Sequence, residues 1–163
     1  MIEYLERERP DVLFLPHTAD THPTHRAVLL TILTAIQRIV VKEDPPFRNL
    51  ELFMYEGPWS LFSRGSYNTV SSPSLDHFAR KLAAIREHKS QTGRTPYDVA
   101  SDSLSLLRAA LVPEQDLAGF GADPPKLSSK VELFFHKTID TPKDIQILLT
   151  WFYDQLPPRA FSK

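Results

Sequence analysis

An α/β, three-layer arrangement is what this sequence predicts, and three neighbouring segments predict it. Asp11-Val12-Leu13-Phe14-Leu15 is a short apolar run of the kind buried within a parallel sheet. Pro23 to about Lys42 is apolar on most sides and long enough to be a helix lying against that sheet, and Leu50 to Tyr55 reads as a second strand. Strand, helix and strand in this order describe a parallel pair joined by a right-handed crossover.

The charged opening, Met1 to Glu8, predicts a short helix leading into the first strand. In the long helix Val28, Ile32, Ile36, Ile39 and Val40 recur at helical spacing, and Leu29, Leu30 and Leu33 widen the apolar face. Pro23 suits its first turn, where a missing N–H costs nothing, and Asp44-Pro45-Pro46 ends it. Gly57 to Pro73 is a long loop of Gly, Ser, Pro and aromatics, read in two ways. It lines a substrate pocket, or it is an ordered surface loop with Trp59 and Phe62 packed beneath it. Ser74-Leu75-Asp76 starts a half-exposed helix to about Lys89. Pro96 opens another through Leu111, ahead of the Pro113 breaker and a turn at Gly119-Phe120-Gly121. Val131 to Phe135 is the third expected strand, parallel like the others. Thr141 and Pro142 then begin a helix in which Ile145, Leu148, Leu149 and Phe152 share a face suited to closing the core, and Pro157-Pro158 stops it.

Composition sets the bounds. A chain of 163 residues, 42% hydrophobic and 24% charged, has the make-up of one globular domain with a real core. A formal net charge of −1 gives no electrostatic basis for binding nucleic acid or an anionic membrane. Cysteine is absent, so a metal such as zinc would need His and carboxylate ligands. The opening is too charged for a secretory signal, and no uncharged run approaches the ~20 residues that span a bilayer. A cytoplasmic location is expected.

Chemistry concentrates in His22-Pro23-Thr24-His25-Arg26-Ala27. Two imidazoles three positions apart straddle the start of the long helix, just after the loop Pro16 to Thr21 that leaves the carboxyl end of the first strand. Open α/β sheets bind ligands at that end, and imidazoles so placed can meet one metal.

This segment resembles the PIG-L/LmbE family of zinc-dependent N-deacetylases, in which a strand ending in Pro-Asp-Val is followed by a loop and His-Pro-Asp-His-Arg-Ala. Three further stretches, in register, are similar to the deacetylase-like domains fused behind glucosamine-6-phosphate deaminases. They are Tyr55-Glu56-Gly57-Pro58-Trp59-Ser60-Leu61-Phe62, Lys81-Leu82-Ala83-Ala84-Ile85-Arg86-Glu87-His88-Lys89-Ser90-Gln91, and Val112-Pro113-Glu114-Gln115-Asp116-Leu117-Ala118-Gly119-Phe120-Gly121. Together the four cover roughly Pro10 to Phe135. The deaminase domain itself is not in this chain.

The resemblance implies a Rossmann-like three-layer sandwich with a partial, mainly parallel sheet. It makes residues 1–136 the carboxyl-terminal portion of a deacetylase domain, with 137–163 a terminal helix and tail. It also implies zinc as cofactor, His25 as a metal ligand, and His22 as the acid or oxyanion-stabilising histidine. Thr24 stands where the family has an Asp that orients the catalytic imidazole, and Asp20 is the residue that would substitute. Arg26, Glu56 and Trp59 are the candidate substrate contacts, Arg26 being alternatively an ion-pair partner within the fold. His17, at the strand end, is a rival for the same space or a polar residue lining the pocket. His77, His88 and His136 have no motif context and read as surface or helix-face residues.

The family's Ala-His-Pro-Asp-Asp segment, source of the other metal ligands and the general base, does not occur in this sequence. The chain is therefore expected to be a fragment, one member of a split pair, or a degenerate module. Two functions follow. One is a metal-dependent hydrolase that removes acetyl from an N-acetylated amino sugar or sugar phosphate, completed by a partner chain. The other is a non-catalytic sugar-binding or interaction module associated with a glucosamine-6-phosphate deaminase. Missing first strands would leave apolar sheet edges and helix faces open, so a homodimer is also expected.

Overall fold

The computed structural model describes residues 1–42, 49–57, 60–63, 65–112 and 129–155. The expected breakers at Asp44-Pro45-Pro46, Pro113 and Pro157-Pro158, the turn at Gly119-Phe120-Gly121, and Trp59 lie outside the described residues. The chain divides into two compact units, Met1–Ser66 with Phe135–Lys163, and Tyr67–Phe134.

The first unit begins with helix α1 (Ile2–Glu8), whose Leu5 is buried and whose end is closed by Arg9 in the left-handed conformation. Strand β1 (Val12–Pro16) follows, then helix α2 (Pro23–Val40) with Pro23 in its first turn, then strand β2 (Leu50–Tyr55). β1 and β2 pair in parallel, Leu13 beside Leu52 and Leu15 beside Met54, so the expected strand–helix–strand crossover is present. Alternation decides which side is core. Leu50, Leu52 and Met54 of β2 and Leu15 of β1 point to one face and are buried, whereas Val12, Phe14 and Tyr55 on the other face are exposed.

Strand β4 (Glu132–Ile139) crosses from the second unit into the first, and helix α6 (Pro142–Asp154) packs on α2. Ile145, Leu148, Leu149 and Phe152 of α6 join Leu29, Leu33, Ile36 and Ile39 of α2 in one buried cluster with the strand residues. The terminal helix thus closes the core, as its spacing suggested. Thr141 and Asp144 secure its start, since both the main-chain N and the hydroxyl of Thr141 donate to the Asp144 carboxylate, at 3.0 and 2.7 Å.

In the second unit, strand β3 (Thr69–Ser71) pairs antiparallel with the first residues of β4. Helix α3 (Leu75–Glu87), the single turn α4 (Lys89–Thr92) and helix α5 (Tyr97–Leu111) complete it. Ser74 caps α3 as its position suggested, its hydroxyl accepting from His77 N. The expected helix to Lys89 stops at Glu87 and restarts after His88. Phe78 is buried, with Lys81 and Lys130 over its ring.

The expected mainly parallel sheet needs correction. Among the described residues the order is β1-β2-β4-β3, and the β1–β2 pair is the one that runs parallel. Contacts between β2 and β4 descend along β4 as they ascend along β2. Asn49 N bonds the Asp140 carboxylate, Thr138 Oγ1 reaches Glu51, and His136 stacks on Phe53. β4 therefore runs against β2. A parallel third strand would need a further crossover from one end of the sheet to the other. The chain instead re-enters at the end where β2 finishes. Within the first unit α1, α2 and α6 pack against one sheet face.

Candidate functional site

The site is built at the carboxyl ends of β1 and β2. The main-chain N of His17 donates to Tyr55 O at 3.1 Å, carrying the parallel ladder one residue past the end of β1. The chain then turns sharply, and Asp20 N returns to His17 O at 2.9 Å. This turn carries Asp20 into the interior, where it is 2% exposed.

A buried carboxylate is costly unless hydrogen bonds satisfy it. Oδ1 of Asp20 accepts from the main-chain N of His22 at 2.7 Å, and Oδ2 lies 2.8 Å from Nδ1 of His25. The carboxylate can only accept, so Nδ1 of His25 carries a hydrogen, and in the neutral ring the lone pair is on Nε2. The Asp20 carbonyl accepts from Arg26 Nη1 at 3.1 Å. Asp20 is thus the hub of the loop, holding the start of α2 and one imidazole together.

His22 is the N-cap of α2 and Pro23 its first residue, while Arg26 N closes the first helical turn on His22 O at 3.0 Å. That turn puts the two imidazoles on one side, their centroids 4.6 Å apart and tilted by 45°. The structure therefore brings His22, His25 and Asp20 together. Asp20 bonds the ring of His25 and the main chain of His22. The reason is reach. A residue two before the cap meets the cap's own N–H, and its second oxygen then faces the ring one turn into the helix.

Arg26 meets no carboxylate among the described residues. Its guanidinium lies 4.7 Å from the centroid of the Phe152 ring, and Nη2 is buried without a hydrogen-bond partner among them. Among the described residues the guanidinium has a cation–π contact and a main-chain carbonyl as its partners. Glu56 accepts from Phe62 N at 2.8 Å and so clasps the loop that follows β2, while Gly57 and Ser60 exchange two main-chain bonds. Phe62 is 5% exposed, with its ring edge-on to His17 at 4.7 Å. Thr24 is exposed.

Of two further members, sequence reading placed His17 here as a rival for the same space or a pocket-lining residue, and missed Tyr55. Burial pushes the His17 imidazole from its ordinary 6.5 down to about 4, although the nearby Asp20 carboxylate pulls the other way. The Tyr55 hydroxyl is raised by burial and then by the Asp20 charge. The signal that could have found Tyr55 was its place as the last residue of β2, beside the residue ending β1. His136, expected on a surface or helix face, belongs to β4. It bonds the Glu51 carboxylate, which, with help from Thr138, holds that carboxyl below its ordinary range. His77 bonds the Ser74 hydroxyl, and His88 lies between α3 and α4.

No family model, curated protein or solved structure matches this chain. The zinc expectation can be weighed on the side chains themselves. His25, with a buried carboxylate behind Nδ1, has the form of a metal-binding imidazole held by an outer carboxylate. A catalytic zinc takes about three protein ligands, however, and no group of three His, Cys, Asp or Glu stands close enough to hold an ion among the described residues. They fit one ligand position and not a complete zinc site. Among the described residues no helix is long and apolar enough to cross a membrane.

Proposed function

We propose that this chain carries the histidine part of an amide-hydrolase site of the N-acetyl amino-sugar deacetylase type. The remaining metal ligands and the base would come from a segment or partner chain bearing the Ala-His-Pro-Asp-Asp pattern. The observation that supports this reading most is the 2.8 Å contact between buried Asp20 and His25 Nδ1, which in the neutral ring puts the lone pair on Nε2, the atom that would bind an ion or take a proton. His22, 4.6 Å away between ring centroids, is placed to serve the same ligand. The site's position at the carboxyl ends of two parallel strands is where such sheets hold substrates.

Zinc calorimetry and an acetate-release assay test the proposal. The chain alone should bind zinc weakly and release no acetate from N-acetylglucosamine or its 6-phosphate, and a supplied Ala-His-Pro-Asp-Asp segment should restore both. In the restored protein His25→Ala should lose metal, whereas His22→Ala should keep metal and lose turnover. Tight stoichiometric zinc in the chain alone, or full activity in His22→Ala, would refute these roles.

A second reading, a non-catalytic sugar-binding module, is favoured by the lack of a three-ligand group among the described residues. It predicts binding of N-acetylglucosamine that zinc does not change, and no turnover under any supplementation.

A further inference from the structure

His17 is held more firmly than a residue that merely lines a pocket needs to be. Its main chain is bonded on both sides, N to Tyr55 O and O from Asp20 N. Its ring is wedged against Phe62 at 4.7 Å and Phe135 at 6.2 Å between centroids, edge-on to each. Within the turn, Nδ1 accepts from Ala19 N at 3.2 Å. A main-chain N–H can only donate, so Nδ1 bears no hydrogen and the ring's single hydrogen sits on Nε2. Protonating the ring would break that bond and leave Ala19 N facing an N–H. Burial acts in the same direction, keeping the imidazole neutral down to about pH 4.

The two histidines are thus set in opposite senses by their partners. His25 has its hydrogen on Nδ1 because it faces a carboxylate; His17 has its hydrogen on Nε2 because it faces an amide N–H. His17 and Asp20 begin and end one turn, so the fixed donor shares the carboxyl end of β1 with the Asp20–His25 pair. A neutral imidazole N–H is suited to an oxygen that gains negative charge, since it keeps its own proton and needs no reorganisation.

Resting on the hydrolase reading, we propose that His17 is the second recognition group of this site, presenting Nε2–H to the carbonyl oxygen of an acyl group beside His25. In amide hydrolysis that oxygen becomes the oxyanion, so His17 would hold it while His22 and His25 attend to the rest of the centre. An N-acetyl group, or the acetate it yields, is the ligand chemistry that fits.

Imidazole ¹⁵N NMR on the full chain tests this, with N-acetylglucosamine and acetate as probes. His17 should show the Nε2–H form from pH 6 to 8, and either probe should move that resonance. His17→Gln, which keeps a side-chain N–H donor, should bind N-acetylglucosamine within a few-fold of the parent. His17→Leu, which keeps the packing against Phe62 and Phe135, should bind about tenfold or more weakly. An Nδ1–H form, equal affinity in His17→Leu, or no response to either probe would overturn the assignment. The hydrolase reading fails separately. Probe binding through His17 with no acetate release in the supplemented protein sinks that reading alone, and release unaffected in His17→Leu sinks the His17 role alone.

Discussion

Oδ2 of Asp20 lies 2.8 Å from Nδ1 of His25, and Oδ1 of the same carboxylate lies 2.7 Å from the main-chain N of His22. One buried side chain therefore fixes the start of a helix and the orientation of an imidazole in its first turn. Local structure and site chemistry are coupled here, because the carboxylate that holds the main chain of the N-cap residue also decides that Nδ1 of His25 carries a hydrogen.

Asp20→Ala should accordingly cost about 1–3 kcal/mol of stability, the range for leaving buried hydrogen-bonding groups unsatisfied at a helix start. His25 should also lose its preference for hydrogen on Nδ1. Asp20→Asn, which keeps one acceptor oxygen, should lie between. Urea unfolding gives the energies and ¹⁵N NMR the tautomer. An unchanged midpoint and an unchanged His25 spectrum in Asp20→Ala would show the contact to be incidental.

His17 makes stability depend on pH in a defined window. Its imidazole titrates near 6.5 when the chain is unfolded and at about 4 when folded. Between those values the unfolded state binds the extra proton, so the stability contribution is complete above about pH 6.5. It falls as pH drops towards 4, with a slope that one group limits to about 1.4 kcal/mol per pH unit. Comparing urea midpoints of parent and His17→Leu from pH 7.5 to 4 isolates this contribution. Parallel curves for the two proteins would mean that His17 is not the group responsible.

A second window lies lower. The Lys137 ammonium, 2.6 Å from the Asp144 carboxylate, and then the Thr141 hydroxyl hold Asp144 at about 2. That support is present above about pH 3.8 and is lost as pH falls through 2. At pH 7, removing the cap partner with Thr141→Ala should cost about 1 kcal/mol. Thermal melts of Asp144→Asn at pH 7 and pH 2 should differ from the parent at the higher pH and converge on it at the lower. Equal deficits at both would refute the pH assignment.

Packing of α6 on α2 should dominate the first unit's stability. Leu148 is 0% exposed and belongs to the shared core, whereas Val28 on α2 is 44% exposed. Leu148→Ala should therefore cost about 2–5 kcal/mol, and Val28→Ala should stay within about 0.5 kcal/mol. Denaturant titrations of the two variants decide the matter, and a comparable loss in both would mean that the core has been assigned to the wrong face of α2.

Much of the local architecture was legible beforehand, for reasons that particular residues make plain. Pro23 and Thr141 mark helix starts because their main-chain chemistry fits only there, and Ile36, Leu148 and Phe152 announce buried faces because helical spacing projects them to one side. Val12 to Leu15 and Leu50 to Tyr55 showed themselves as strands, and their parallel pairing followed from the helix between them. The second unit was harder to read. β3 is three residues long and lies inside a stretch rich in turn formers, too short for its alternation to register.

What the sequence by itself determined is where helices and strands begin, which of their residues are apolar, and that two histidines flank the start of α2. These properties depend on neighbours within a turn or two of the chain. Only the tertiary structure decided that β4 runs against β2, that Asp20 takes the ring of His25 and the main chain of His22, and that His17 is packed, half-buried, against Phe62 and Phe135. Strand direction depends on where a distant segment re-enters the sheet. A side chain's partner depends on where the turn after β1 delivers it, and a half-buried imidazole's charge depends on rings from two other parts of the chain. None of these is a property of a local window, because each arises from contacts that exist only once the chain has closed on itself.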